Sequence, residues 1–393
     1  MLLAEADGLI TELADAPLDD VLAAYEVWAS GTMTLFEPVG IPPRPIADPK
    51  DVVRAAQRNG GPGAALVAEA MAIYGPLSSR VAARRCADSV TATLADGAVP
   101  EWVTMLGRVE IGDVWLMADI WGDGGTLLVE YTDVTGAVLV AGCTIDTVGG
   151  GAADGFLAGA PLDAIHELVD GDPHTSLTKL DPADAAATVA TAIDVRASFV
   201  NLGDDDDDHA DLLALVAHRF GLLPEGGEPL FEYVELSEDR REALIERFLQ
   251  RRDAADLDDA AAIAGTICDF AGYCDGDPLR WSPARVDVFV GGWVPAKVIA
   301  DDDWYRNLPP VLREWLRFAA EEVGLVDDGL EINLAQVDHA MGLMQENRRD
   351  ASKRSPTSNI VADMQADGID MLDQDAVNAW LEEYNRRPRD ERY

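Results

Sequence analysis

Positive charge is what this chain has least of. Its 393 residues carry 30 Lys plus Arg against 72 Asp plus Glu, a formal net charge of −42. Only Lys50, Lys179, Lys297 and Lys353 are lysine, so the other bases are all Arg. Such a field repels phosphate backbones and anionic membrane faces, which disfavours nucleic acid and lipid as generic partners. Histidine is nearly as scarce, with five in all, and this limits general-base and metal-ligand chemistry. The four cysteines, Cys86, Cys143, Cys268 and Cys274, are scattered. Reduced thiols in a cytoplasmic protein suit that spacing better than a disulfide framework. Long apolar runs are missing too, because charges or glycines interrupt every one before membrane-spanning length. The opening MLLAEADGLITELADAP has acids and no base, unlike a secretory signal.

Hydrophobic residues make up 48% of the chain, with nine Trp, nine Phe and eight Tyr. A sizeable core is therefore expected, and the length suggests two or three domains. The acidity has three readings: solubility chemistry (the default), adaptation to high salt, or a surface shaped for a basic partner.

Hydrophobic rhythm changes near Trp102. Up to there the spacing predicts helices over 18–30, 52–59, 62–74 and 77–94, with Asp48 and Pro49 marking one start. The proline-rich 37–49 reads as an ordered connector. From Gly107 to Thr147, GRVEI, VWLMADIW, TLLVEY and AVLVAGCTI are separated by Gly112–Asp113, Gly122–Gly125 and Asp133–Gly136. These read as hairpin turns of an antiparallel meander with helices on both faces. Helices are expected again over 183–199, 210–220, 238–252, 257–273, 283–289, 309–323, 334–347 and 374–384. The fold class is α+β, mainly helical, with one small central antiparallel β-meander. The expected regions are a helical 1–100, a sheet region with its following helix at 101–175, and a helical 176–393.

No segment carries a recognised catalytic constellation. Val148–Gly155 (VGGGAADG) follows a strand like a phosphate-binding turn, but Asp154 stands where a fingerprint glycine belongs, so a plain strand-to-helix turn is expected. His166 and Asp170 lie one helical turn apart with His174 downstream. A zincin would need a second His at Asp170, so no metal and no cofactor are expected. Cys268 and Cys274 lack the close spacing of a zinc or redox pair. Asp204–Asp208 reads as a solvated run before a helix. The polar 345–359 reads as a mobile connector; Ser355, Thr357 and Ser358 could be phosphorylated, but exposed Ser near Arg is common and carries little weight.

The most distinctive stretch is 275–298, DGDPLRWSPARVDVFVGGWVPAKV. Arg280, Trp281, Trp293 and Lys297 are its candidate binding residues. The simpler expectation is a buried corner anchored by the two indoles, with Ser282 starting a helix at Pro283.

DPLRWSP…WVPAKV and LPPVLREWLRFAAEEVGL resemble a family of actinobacterial hypothetical proteins. The resemblance extends to VPEWVTMLGRVEIGDVWLMADIWGDGGTLLVEY and the acid-rich C-terminus. It implies a cytoplasmic protein from a GC-rich genome, and no catalytic residue, because the family carries no assigned activity. The leading functional expectation is a non-enzymatic acidic cytoplasmic protein acting through protein–protein interaction or regulation, with a basic protein as the partner the acidity would suit. The alternative is a hydrolase or transferase with a site near His166, Asp170 and His174.

Overall fold

The computed structural model describes residues 1–36, 38–39, 44–148, 151–198, 212–231, 233–353, 355–370 and 373–386. It is 61% helical with one five-stranded antiparallel sheet, so the α+β, mainly helical expectation holds. The chain divides into two compact units, Met1–Asp119 with Gly124–Glu232, and Ile120–Asp123 with Tyr233–Tyr393.

The first unit opens with α1 (Leu2–Glu12), α2 (Leu18–Gly31), the two-residue strands β1 (Pro38–Val39) and β2 (Arg44–Pro45), α3 (Pro49–Asn59), α4 (Pro62–Ile73) and α5 (Leu77–Thr91). Local chemistry sets these ends. The Asp48 carboxylate accepts the Lys50 N–H, Pro49 occupies the first turn of α3, and Gly60 ends it in the left-handed conformation.

The sheet strands are β3 (Val109–Asp119), β4 (Gly124–Asp133), β5 (Val138–Asp146) and β6 (Ala152–Ala158). Then come α6 (Leu162–Val169), β7 (Thr175–Lys179), α7 (Pro182–Ser198) and α8 (Leu213–Phe220). Strand order is β6-β5-β4-β3-β7, a meander with β7 added antiparallel along the outer side of β3. Leu127, Val129, Tyr131, Ala141, Cys143 and Ile145 pack in the main core with α7 and α8 residues such as Ala185, Val189, Val216 and Phe220. Leu128 and Val140 face the other way, towards Leu162 and Ile165 of α6. Helices on both faces explain the continuous apolar runs.

Two sheet expectations need correction. Gly112–Asp113 is a bulge within β3. Pairing skips from Ile111–Tyr131 to Val114–Val129, so two residues face one and the strand runs on. Val148–Gly155 leads into β6 rather than a helix, although residues 149 and 150 lie outside the described set. Its alternating ADGFLA pairs with β5 from Val140–Ala158 to Asp146–Ala152, and glycines masked that strand signal. Asp204–Asp208 also lies outside the described residues.

The second unit contains α9 (Glu238–Leu249), α10 (Arg252–Ala255), α11 (Ala260–Ala271), α12 (Pro283–Val286), a π-helical stretch Asp287–Trp293, α13 (Val294–Lys297), α14 (Asp302–Val323), α15 (Asp327–Arg349), α16 (Pro356–Ala366) and α17 (Gln374–Arg386). Helix α14 starts before the expected 309 because Asp301 caps it on the Trp304 N–H. Its buried stripe of Trp304, Leu308, Val311, Leu312 and Trp315 continues through Pro309 and Pro310. The expected connector at 345–359 is mostly regular: α15 reaches Arg349, Ala351–Lys353 is a 3₁₀ turn, and α16 begins at Pro356. There the Ser355 hydroxyl accepts the Ser358 N–H, and the Ser358 hydroxyl donates to Ala296 O. No helix among the described residues is long and apolar enough to cross a membrane.

Candidate functional site

The segment 275–298 forms a buried corner within the second unit. Trp281 is 4% exposed, and its indole N–H donates to Pro278 O at 2.8 Å. The Trp315 indole donates to the same carbonyl at 3.0 Å, and the Asn333 amide donates to Trp281 O at 2.9 Å. Ser282 caps α12 by accepting the Arg285 N–H. The wholly buried Arg285 guanidinium donates through Nη2 to Asp275 Oδ1 and to Asp277 O, both at 2.9 Å. Half-buried Arg280 pairs with the other Asp275 oxygen at 3.1 Å, while Asp277 faces Arg240 at 3.5 Å. Trp293 is half-buried between Phe270, Phe289 and Tyr273, and exposed Lys297 hangs over the Tyr273 ring. Of the four candidates, only Lys297 has an exposed side chain.

The His166 ring packs edge-on against Trp115 with centroids 4.5 Å apart. His174 Nδ1 lies 3.7 Å from Asp172, and Asp170 is exposed at the end of α6. Among the described residues, no group of three or more His, Cys, Asp or Glu side chains gathers as a metal set. None of the four cysteines forms a disulfide, and all four are buried. Burial pushes the Cys143 and Cys268 thiols up to about 12, so neither supplies a thiolate near neutral pH.

A second buried polar centre, inside the first unit, leaves no mark in the local sequence. Glu26 Oε1 accepts from Arg219 Nη2 at 2.5 Å, from the Tyr74 hydroxyl at 3.0 Å and from the Gly107 N–H at 3.2 Å. Gly107 has φ +70°, and a Cβ there would sit 2.7 Å from Ile73 Cγ2, so both the turn and the close approach call for glycine. The Arg219 guanidinium lies 4.5 Å from the Tyr131 ring centroid and donates to His218 Nδ1 at 3.0 Å. Desolvation, then the positive charges of Arg219 and Arg80, depress the His218 pKa to about 4. The imidazole is therefore neutral near pH 7, with Nδ1 free to accept.

Sequence reasoning also missed the surface of α7. Ala185, Val189 and Ala192 are buried in the main core. Ala183, Ala187 and Ala190 carry a second apolar stripe outward into a groove of about 550 Å³, edged by Ala186 and Ile193, which also pack against the core. Ala217, Phe220, Gly221 and Leu223 form the facing wall, Leu77 of α5 closes one side, and among the described residues Asp194 and Glu225 are the charged ones lining it. Leu77 is 80% exposed, and Val81, one turn along α5, is 64% exposed. A helix apolar on two faces ordinarily has both covered. The available signal was the AxxAAxxA spacing, which looks like helix propensity until the fold shows which face the sheet takes.

No protein-family model, curated protein or solved structure matches this chain.

Proposed function

We propose that this chain is a non-enzymatic protein that acts through protein–protein interaction, with the groove between α5, α7 and α8 as its partner surface. The observation that carries the reading is the second apolar stripe of α7, open beside the exposed Leu77. Apolar surface of this kind, bounded by polar residues, is characteristic of interaction sites. The half-buried His218, the buried thiols and the buried arginines support the same reading, since each is engaged in holding a core. The net charge of −42 favours a protein partner over nucleic acid. As part of this reading the chain works in the cytoplasm, in keeping with four cysteines outside any disulfide.

Because the native cysteines are buried, a single exposed cysteine can carry a photo-crosslinker selectively. Ala190→Cys places it on the groove, and Leu168→Cys, on the exposed side of α6, is the control. The expected result on irradiation in cell lysate is a discrete protein adduct from position 190 and none from position 168. Equal adducts at both positions, or none at either, would end the reading.

A further inference from the structure

We infer that the occupant of the α7 groove is a cationic amphipathic helix, an inference that rests on the groove being the partner surface. Its shape points to a helix. The α7 wall of the groove runs from Ala183 to Ile193, roughly 15 Å at 1.5 Å per residue, which matches about three turns of a partner helix. Four of the seven α7 residues lining the groove are alanine, and Ala217 and Gly221 lie opposite beside Phe220 and Leu223. Small side chains let a second helix axis approach to the short end of the usual range, about 8 Å. The occupant must then supply the bulk: Leu, Met or Phe at positions i, i+3 or i+4, and i+7.

Its charge follows from the lining. Among the described residues, Asp194 and Glu225 are the ionisable ones in the groove wall, and both are acids. An occupant with Lys or Arg flanking its apolar stripe would pair with them, within a chain whose field already attracts cations. The same charge argues against the other occupants. A second copy would bring its own net charge of −42 to the interface, and a fatty acid would set its carboxylate among like charges.

The test uses the full chain and three fluorescein-labelled synthetic helices of about 18 residues. They share one leucine stripe, and their polar faces are Lys, Gln or Glu. Fluorescence anisotropy should show the Lys peptide binding about tenfold or more tightly than the Gln peptide, with the Glu peptide weakest. Ala190→Arg puts a cation into the exposed part of the groove and should weaken the Lys peptide by about tenfold, with the melting temperature unchanged. Asp194→Asn with Glu225→Gln should narrow the gap between the Lys and Gln peptides. Lys-peptide binding that ignores Ala190→Arg would reflect general acidity and overturn the inference. So would equal or tighter binding of the Gln or Glu peptide, although sensitivity of that binding to Ala190→Arg would still uphold the groove as a surface. Dimerisation abolished by Ala190→Arg would seat a second copy there and also overturn it. Indifference of all three peptides to Ala190→Arg, with no crosslink from Ala190→Cys, would remove the groove reading itself.

Discussion

Among the described residues each unit buries one arginine completely, and the two are held in different ways. Arg219 meets Glu26 from 193 positions away, and the same carboxylate oxygen also accepts from a tyrosine hydroxyl and a backbone N–H. Arg285 meets Asp275 from ten positions away, and Asp275 keeps a second, half-exposed partner in Arg280. The first centre ties α2 to α8 and exists only once the fold has formed. The second is almost a property of its own corner. Breaking a buried pair costs more than the pair contributes, because the survivor is left charged and dry. The two centres should therefore differ in how much each loses when its acid is removed.

Each unit also contains two buried cysteines, Cys86 and Cys143 in the first, Cys268 and Cys274 in the second. Thiol labelling across a urea series, read by mass spectrometry, thus reports on each unit separately. Glu26→Ala is expected to have the largest effect, about 5 kcal/mol lost from the first unit, because two buried donors and the half-buried Gly107 N–H lose their acceptor together. Protection of Cys86 and Cys143 should collapse at low urea while Cys268 and Cys274 hold. Trp281→Ala comes next, at about 4 kcal/mol from the second unit, since it removes a buried indole and its bond to Pro278 O. Loss of stability below 1 kcal/mol would show that the corner does not need its anchor. Asp275→Ala should cost about 3 kcal/mol. Arg285 keeps its bond to Asp277 O, and Arg280 can turn to water. An Asp275→Ala loss larger than that of Glu26→Ala would reverse the comparison.

Acid should separate the units further. His218 has a folded pKa near 4, against about 6.5 for an ordinary histidine. Its neutral form contributes stability that is complete above pH 6.5, declines as pH falls from there, and is gone below about 4. The shift corresponds to at most about 3 kcal/mol. His218→Gln keeps an acceptor for Arg219 without a titrating ring. The wild-type first unit should therefore lose about 2–3 kcal/mol more than the variant between about pH 7 and about pH 4. The partners of Arg285 described above include no histidine, so labelling of the second-unit cysteines should respond equally in both proteins. If the wild type and the variant decline in parallel, His218 is not the acid-sensitive group.

The contrast also marks how far the residues could be read without coordinates. DPLRWSP was conspicuous because a cap, a proline, an arginine, an aspartate and an indole that act together stand within a few positions. The meander was legible for the same reason, since period-two runs and glycine turns are local. The Glu26–Arg219 pair was not, because nothing near Glu26 in α2 distinguishes it from a surface acid. The bulge at Gly112–Asp113 looked like a turn because glycine followed by aspartate suits both, and only the pairing of Val114 with Val129 tells them apart. Strand β7 is short and half polar, and its partner β3 lies beyond an intervening helix. The outward face of α7 needed the fold to say which stripe of alanines the sheet had taken.

The smallest expected effect falls on the outer arm of the second centre. Arg280 is 30% exposed at the side chain and sits 3.1 Å from Asp275, a geometry that suggests a strong pair. Solvent can rehydrate that guanidinium, however, and pairs open to water contribute about 0–1 kcal/mol. Asp275 would keep Arg285 and the Asp277 N–H after the loss of Arg280. Arg280→Ala should therefore lower the stability read from Cys268 and Cys274 labelling by less than about 1 kcal/mol, far below Asp275→Ala. Raising salt should shrink even that difference, because an exposed pair is screened and the buried Asp275–Arg285 pair is not. A loss from Arg280→Ala as large as that from Asp275→Ala would mean the three charges stand or fall together. The second centre would then be as interlocked as the first, despite its shorter span in the chain.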